Sequence, residues 1–181
     1  MSQITFITGN TAKAEQVGRH LDHPLAHQKI DLDEIQSLVL EEIIIHKAKE
    51  AFKKVQSPVL VEDTSLVFNV LGKLPGPLIK WFLTELDNQG LCKILDGYDD
   101  RTAIAEVCFG FYDGKELKTF NGKMEGKIAE SPRGERGFGW DPIFIPKGST
   151  KTWGEMNIEE QKKTSIRRIV LKKLESHLKQ N

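Results

Sequence analysis

The chain is poor in cysteine, has no membrane-length apolar run and carries no excess of either charge. Its 181 residues include two cysteines, Cys92 and Cys108, without histidines at ligand spacing, which argues against zinc and against a disulfide framework. Lysine plus arginine and aspartate plus glutamate number 26 each, so no global field attracts nucleic acid or anionic lipid. We expect buried cysteines, no nucleic-acid or membrane partner and, without a leader-like segment, a cytoplasmic location.

The familiar phosphate-binding motifs are also missing from the first turn, where neither G-x-x-x-x-G-K-[ST] nor G-x-G-x-x-G occurs. What the turn has is an apolar strand from Ile4, a glycine at Gly9 and a helix start with Lys13 one turn inside. Such a turn directs backbone N–H groups and the positive end of a helix dipole at one point, and Lys13 adds a full charge. The pattern predicts a phosphate site, although an ordinary strand-to-helix connection has the same form.

Apolar spacing along the chain predicts a mixed α/β fold in a single compact domain, residues 1–181. A second helix covers Ile44 to Val55, and a short strand at Pro58–Val61 is expected to end in a polar turn. Strict alternation over Thr102–Tyr112 and a turn at Asp113-Gly114 predict an antiparallel hairpin. One last helix is expected to open at Asn157 and to carry the buried stripe Ile166, Ile169, Val170 and Leu174.

Two carboxylates suggest a metal. Glu34 lies in a polar stretch before the second helix, and Asp63 follows the apolar strand. Magnesium that acts on phosphate esters is held by one or two carboxylates and by phosphate oxygens of the substrate. Glu34 and Asp63 fit such a site, while a turn cap at Asp63 and a surface charge at Glu34 are the alternative.

A glycine-rich loop, Gly134–Pro142, carries large aromatic side chains and an aspartate. Aromatic faces stack on nucleobases, and Asp141 has acceptors for donors on a base edge. The loop therefore predicts a base pocket. Alternatively, Phe138 and Trp140 fill the core and Asp141 begins a turn before Pro142.

Several short motifs occur in one order along nearly the whole chain. They are Thr8-Gly9-Asn10-x-x-Lys13, Val61-Glu62-Asp63-Thr64, Leu74-Pro75-Gly76-Pro77, Gly137-Phe138-Gly139-Trp140-Asp141-Pro142 and Ser165-x-Arg167. Together they closely resemble the inosine triphosphate pyrophosphatase family, which hydrolyses non-standard purine nucleoside triphosphates. The segment from Val61 to Leu83 is most similar to the eukaryotic-type branch.

The resemblance implies a mixed, curved sheet flanked by helices, with two lobes around a central active-site cleft, typically in a homodimer. It implies an enzyme that converts ITP, dITP or XTP and water to the monophosphate and pyrophosphate, and so cleanses the nucleotide pool. Whether ribose or deoxyribose is preferred stays open.

The resemblance also implies individual roles. Asp63 is the base for the attacking water and acts with Lys13 and Glu34, and Glu34 and Asp63 hold Mg²⁺, with Mn²⁺ as a substitute. The substrate-binding residues implied are Thr8, Asn10, Lys13, Lys47, Glu62, Thr64, Phe138, Trp140, Asp141, Ser165 and Arg167.

Two positions depart from the family pattern. Ile166 stands where the family has histidine, and Gln161 where it has lysine. Loss of these donors predicts altered base discrimination, whereas Ile166 as part of a buried stripe predicts none. A pyrophosphatase with broadened specificity, for modified pyrimidine or standard triphosphates, and a non-catalytic nucleotide binder remain the alternative functions.

Overall fold

The computed structural model describes residues 3–21 and 23–179, and within them the chain forms seven strands and five α-helices. The strands are β1 (Ile4–Ile7), β2 (Leu25–Gln28), β3 (Val59–Phe68), β4 (Pro75–Gly76), β5 (Thr102–Tyr112), β6 (Leu117–Ile128) and β7 (Phe144–Pro146). The helices are α1 (Thr11–His20), α2 (Leu40–Val55), α3 (Ile79–Lys93), α4 (Ile158–Thr164) and α5 (Ile166–Leu178).

The strands form one mixed sheet in the order β2-β1-β3-β5-β6-β7, and β4 pairs with β3. β1 runs parallel to both β2 and β3. The β3–β4 and β6–β7 pairs are antiparallel. The parallel part comes from the first half of the chain, where strands alternate with helices. The predicted mixed α/β class is confirmed.

The chain divides into two compact units, each built from separate segments. The first unit takes residues 1–64, 107–122 and 167–181, and the second takes residues 65–106 and 123–166. β3, β5 and β6 therefore each contribute residues to both units.

The core of the first unit lies between α2 and the sheet. Ile44 and Ala48, one turn apart on α2, are fully buried with Ile7, Val61 and Cys108 of the strands. The opposite face of the helix is charged, so the sequence period of about 3.6 residues fixes which side of α2 meets the sheet.

Two predictions of local structure are confirmed by the hairpin and by the start of α4. β5 has the predicted bounds, and Asp113 Oδ1 accepts hydrogen bonds from the backbone N–H groups of Lys115 and Glu116 in the turn. Asn157 caps α4, and the Glu160 side chain accepts from the Asn157 N–H in return. Both motifs are completed within a few residues, which is why local sequence identifies them.

Two other predictions are wrong. The strand that was expected to stop at Val61 continues as β3 through Glu62, Asp63 and Thr64 to Phe68. The reason is that Leu66 and Phe68 are completely buried and the strand pairs onward with β4. Glu62, Asp63 and Thr64 therefore lie inside a strand rather than in a turn.

The last helix is also not continuous. It is broken at Ser165, whose backbone is extended (φ −69°, ψ 108°), so α4 and α5 are separate helices. Ile166, Val170 and Leu174 are buried as predicted, but Ile169 is 46% exposed. The break resets the helical phase, so the apolar face of α5 begins afresh at Ile166.

Across the described residues, no helix has both the length and the apolar character needed to cross a membrane.

The two cysteines are buried, as expected. Burial raises the pKa of the Cys92 thiol to about 11, and the thiolate is the reactive form. We expect the folded protein at neutral pH to react with a thiol-specific disulfide reagent about a hundredfold more slowly than the urea-unfolded protein. Stopped-flow absorbance would measure both rates, and immediate titration of a thiol in the folded protein would contradict the prediction.

Candidate functional site

The turn between β1 and α1 presents a helix N-terminus with its capping residue in place. The Asn10 side chain accepts a hydrogen bond from the Lys13 N–H (3.1 Å), and the Asn10 N–H donates to Thr8 Oγ1 (3.1 Å). The first turn of α1 contains no acidic residue. The positive end of this helix is therefore not neutralised by its own side chains and favours an anion.

Lys13 points its charge at a buried carboxylate. Lys13 Nζ lies 3.7 Å from Glu62 Oε1, and the Lys13 side chain is 14% exposed while that of Glu62 is fully buried. A cation held in this way keeps a defined position beside the helix N-terminus.

Glu62 also binds Arg167 of α5. Arg167 donates to Glu62 Oε1 through Nη2 (2.7 Å) and Nε (3.2 Å), and through Nη1 to Gln16 Oε1 (2.5 Å). Burial disfavours the Glu62 charge, but Arg167 and Lys13 outweigh it, so the pKa of Glu62 is lowered. Glu62 Oε2 is buried and has no hydrogen-bond partner among the described residues. Glu62 thus stays ionised and ties α1, β3 and α5 together.

A second cluster joins three separate segments through Lys47 of α2. Lys47 Nζ donates to Glu34 Oε1 (2.8 Å) and to Asp63 Oδ2 (3.4 Å), and Asp63 Oδ1 accepts from the Thr64 N–H (2.8 Å). Burial disfavours the ammonium, but Asp63 and Glu34 outweigh that effect, so the pKa of Lys47 is raised. The predicted pair Glu34 and Asp63 therefore does meet, and a cationic group already lies between them.

The donor set fits a divalent cation that the substrate helps to hold. The described residues contain no group of three histidine, cysteine, aspartate or glutamate side chains that could hold a metal by themselves. Two carboxylates that converge on one cation match the way Mg²⁺ is bound together with phosphate oxygens and water.

In the second unit, the loop from Gly137 to Asp141 is held by its own aspartate. Asp141 Oδ2 accepts from the Phe138 N–H (2.8 Å). Gly137 has φ 79°, and a Cβ there would lie 2.0 Å from Asp141 Oδ2, so this position requires glycine. The Phe138 backbone is therefore tied to the Asp141 end of the loop segment.

Trp140 is half-buried and packs against two aromatic side chains of the core. Its ring centroid lies 5.6 Å from that of Trp153 and 5.8 Å from that of Phe144. The pair with Trp153 is tilted and the pair with Phe144 is edge-on, and such aromatic pairs stabilise beyond the area they bury. Phe138 is half-buried, as Trp140 is.

Of the two positions that depart from the family pattern, Ile166 is buried and Gln161 has a hydrogen-bond partner in the second unit. Ile166 is 4% exposed. Gln161 Nε2 donates to the Trp153 carbonyl (2.8 Å), while Trp153 Nε1 donates to Thr164 Oγ1 (2.9 Å). Gln161 thereby supports the Trp153 segment, and Ser165 forms the break between α4 and α5.

Two contacts were not anticipated from the sequence. Gln16 lies one turn after Lys13 on α1, so the same helix face could have indicated it. Asn88 Nδ2 donates to the Gly139 carbonyl (2.9 Å) across 51 residues of sequence, and no local pattern signals that contact.

Comparison with known proteins adds independent findings. The model of the Ham1 family matches residues 4–177. The chain is 43% identical over 179 residues to inosine triphosphate pyrophosphatase 2 of Trypanosoma cruzi, covering 97% of this chain and 91% of that protein. It is 40% identical over 201 aligned positions to inosine triphosphate pyrophosphatase of Candida albicans, covering 98% of each. A HAM1 protein structure from Coxiella burnetii superposes with a TM-score of 0.87 and 26% identity over the whole of both chains.

Proposed function

We infer that this chain, which belongs to the Ham1 family, hydrolyses non-canonical purine nucleoside triphosphates such as ITP, dITP and XTP to the monophosphate and pyrophosphate. The relatives named inosine triphosphate pyrophosphatase support the substrate class. The observation that carries the chemistry is the meeting of Glu34 and Asp63 on Lys47 in the unit that also contains the α1 N-terminus.

The triphosphate of the substrate would bind at the turn between β1 and α1. Thr8, Asn10 and Lys13 would offer it hydrogen bonds, a helix dipole and a full positive charge. Cleavage of the α-β anhydride leaves negative charge on both products, so Lys13 would stabilise the transition state as well as the bound substrate.

Asp63 is the proposed base for the attacking water. Its Oδ1 is fixed by the Thr64 N–H and its Oδ2 faces Lys47, so the carboxylate is oriented rather than free to rotate. A positioned carboxylate that accepts the proton contributes about 10²–10⁴ in rate. Glu34 and Asp63 would hold Mg²⁺, or Mn²⁺ in its place, which supplies charge neutralisation at the phosphate oxygens.

The purine base of the substrate would bind at the loop from Gly137 to Asp141 in the second unit. Phe138 would stack on the purine, with Trp140 and Asp141 shaping the pocket and Ser165 closing it. Arg167 would act through its bonds to Glu62 and Gln16, because three of its donor contacts are made within the protein.

The experiment is a substrate panel. Purified protein is incubated with ITP, dITP, XTP, GTP, ATP or a modified pyrimidine triphosphate, with Mg²⁺, Mn²⁺ or EDTA, and pyrophosphate and orthophosphate are measured separately. We expect metal-dependent pyrophosphate release from the ITP group. Orthophosphate appearing first, with the diphosphate as intermediate, would overturn the proposed reaction.

Broadened base specificity is the second candidate, favoured by Ile166 and by the engagement of Gln161 with the Trp153 carbonyl. Comparable kcat/KM for ITP and ATP in the same panel would establish it. Tight ITP binding without any turnover would instead identify a nucleotide binder. A homodimer and a cytoplasmic location are also proposed, to be tested by light scattering and by imaging of the tagged protein.

Removal of the Lys13 charge should affect binding and turnover together. For Lys13→Ala we expect KM for ITP to rise about tenfold and kcat to fall about tenfold, because the same cation faces the phosphates in both states. Lys47→Ala should have a weaker effect, since its ammonium is already shared by Glu34 and Asp63.

The matched control for this prediction is Arg19→Ala, which removes an exposed cation from the same helix. Arg19 forms an exposed ion pair with Glu15 on the same helix, and such pairs contribute little. Steady-state kinetics of the three variants would decide, and unchanged parameters in Lys13→Ala would make the turn ordinary scaffolding.

A further inference from the structure

α3 is interrupted at Asp87, whose backbone conformation does not occur in a continuous helix. Asp87 has φ 54° and ψ −174°, a region that is essentially restricted to glycine and is costly for any other residue. The Asp87 side chain starts the helix again by accepting from the Gly90 N–H (3.0 Å). Gly90 is needed there, because a Cβ would lie 2.8 Å from Leu86 Cβ.

The next residue, Asn88, is only half satisfied. Its Nδ2 donates to the Gly139 carbonyl (2.9 Å), while its Oδ1 is buried with no hydrogen-bond partner in the described part of the chain. A buried acceptor without a partner is unfavourable. Asp87 therefore carries a conformational cost, and the next residue, Asn88, carries a desolvation cost.

The break at Asp87 and the buried Asn88 side chain lie at one contact with the aromatic loop, the hydrogen bond from Asn88 to the Gly139 carbonyl. Gly139 lies between Phe138 and Trp140 and has φ 65°. A Cβ built on Gly139 would also reach Leu83 Cδ2 at 3.9 Å, so α3 meets this glycine from both sides of its break. A continuous α3 would not need the Asp87 side chain as a cap. The break at Asp87 directly precedes Asn88, the residue that bonds the Gly139 carbonyl.

We propose that Asn88, delivered by the break at Asp87, is a positioning residue that fixes the loop at Gly139 and thereby sets base selectivity. The proposal rests on the proposed function, because it takes the loop at Phe138–Asp141 as the base pocket. Asn88 acts through the loop backbone and does not touch the substrate. Without its bond, the backbone at Gly139 loses its tie to α3 and can sample other conformations. Phe138 then keeps the bond from its N–H to Asp141 within the loop, but the loop as a whole is no longer held against α3 at Gly139.

The first test replaces the Asn88 donor. Asn88→Asp keeps the size of the side chain but opposes an acceptor to the Gly139 carbonyl, and Asn88→Ala removes both groups. In each variant we expect KM for ITP to rise about tenfold and the ITP-to-ATP ratio of kcat/KM to fall about fivefold. The reason is that the substitution changes the position of the base-binding loop and leaves the groups that cleave the phosphate bond in place. Inhibition by pyrophosphate should be unchanged, which a general loss of structure would not allow.

The second test changes Asp87 and leaves the loop and Asn88 intact. Asp87→Gly and Asp87→Ala both remove the cap, but glycine accepts φ 54° and ψ −174° whereas alanine favours a continuous helix. Asp87→Gly should keep the wild-type ITP-to-ATP ratio, and Asp87→Ala should lower it as Asn88→Ala does. Gln89→Ala, which shortens an exposed amide on the same segment, is the control and should behave as wild type.

The outcomes separate the two proposals. Circular dichroism melting identifies any variant that does not fold, and the four substitutions at residues 87 and 88 differ enough in chemistry for the comparison to survive the loss of one. Folded Asn88 variants with an unchanged ITP-to-ATP ratio, or equal ratios in Asp87→Gly and Asp87→Ala, would overturn the role of Asn88 alone. A wild-type protein that releases no pyrophosphate from any triphosphate would overturn the proposed function and this inference with it.

Discussion

Replacement of Asp63 by asparagine should reduce kcat for ITP by about 10²–10⁴, the usual contribution of a positioned general base. Asparagine keeps the size of the side chain and can still accept from the Thr64 N–H, which now bonds Asp63 Oδ1. It cannot take a proton from water, and it removes one of the two charges that face Lys47. Pyrophosphate release and thermal melting, measured on the same sample, would separate lost turnover from lost folding.

Asp33→Asn is the matched control, because it removes an exposed carboxylate from the segment that carries Glu34. We expect it to retain wild-type turnover. If Asp63→Asn retained more than about half of the wild-type kcat, Asp63 would no longer qualify as the base.

Replacement of Arg167 by alanine should lower the free energy of unfolding by about 3 kcal/mol, because it leaves a buried carboxylate without its main partner. Glu62 is fully buried at its side chain, and its Oε1 takes two of the Arg167 donors. Lys13 remains at 3.7 Å, which keeps the expected loss at the low end for a broken buried pair. Urea unfolding followed by circular dichroism would measure the difference, with Lys172→Ala on the same helix as control.

The destabilisation of Arg167→Ala should depend on pH and on Glu62. The pKa of Glu62 is lowered in the folded protein, so its ion pairs stabilise above the ordinary pKa of glutamate and are lost as the pH falls through the lowered value. The gap between wild type and variant should therefore narrow in acid. Addition of Glu62→Gln should recover part of the loss at neutral pH, and a strictly additive double variant would contradict the coupling.

The fold was predictable where the signal is local. The alternation of β5, the turn at Asp113 and the capping box of α4 are each completed within a few residues. β3 was cut short because Glu62 and Asp63 read as a polar turn. β3 continues because Leu66 and Phe68 are buried and the strand pairs with β4, while the charge of Glu62 is compensated by Arg167, a partner 105 residues later. A local window of sequence contains neither the pairing nor the ion pair.

The same distinction applies to the site. The place of Lys13 beside the N-terminus of α1 could be predicted because one turn of sequence holds both, whereas the role of Asn10 was implied only by the family resemblance. Glu34 and Asp63 were paired from chemistry alone, while their common partner Lys47 was expected to face phosphate. The aromatic loop was recognisable by composition, but its tether to Asn88 was not, since that bond depends on a backbone break that the helical pattern of α3 conceals.

The order in which the first unit is assembled has a consequence for synthesis on the ribosome. Its first 64 residues contain Lys13, Glu34, Lys47, Glu62 and Asp63, yet its last segment begins at Arg167. While the nascent chain grows, Glu62 lacks the guanidinium that makes its burial favourable. We therefore expect Glu62 and the N-terminal segment around it to stay exposed, and accessible to chaperones, until α5 has left the exit tunnel. Activity should therefore be absent from a nascent chain whose α5 is still inside the exit tunnel.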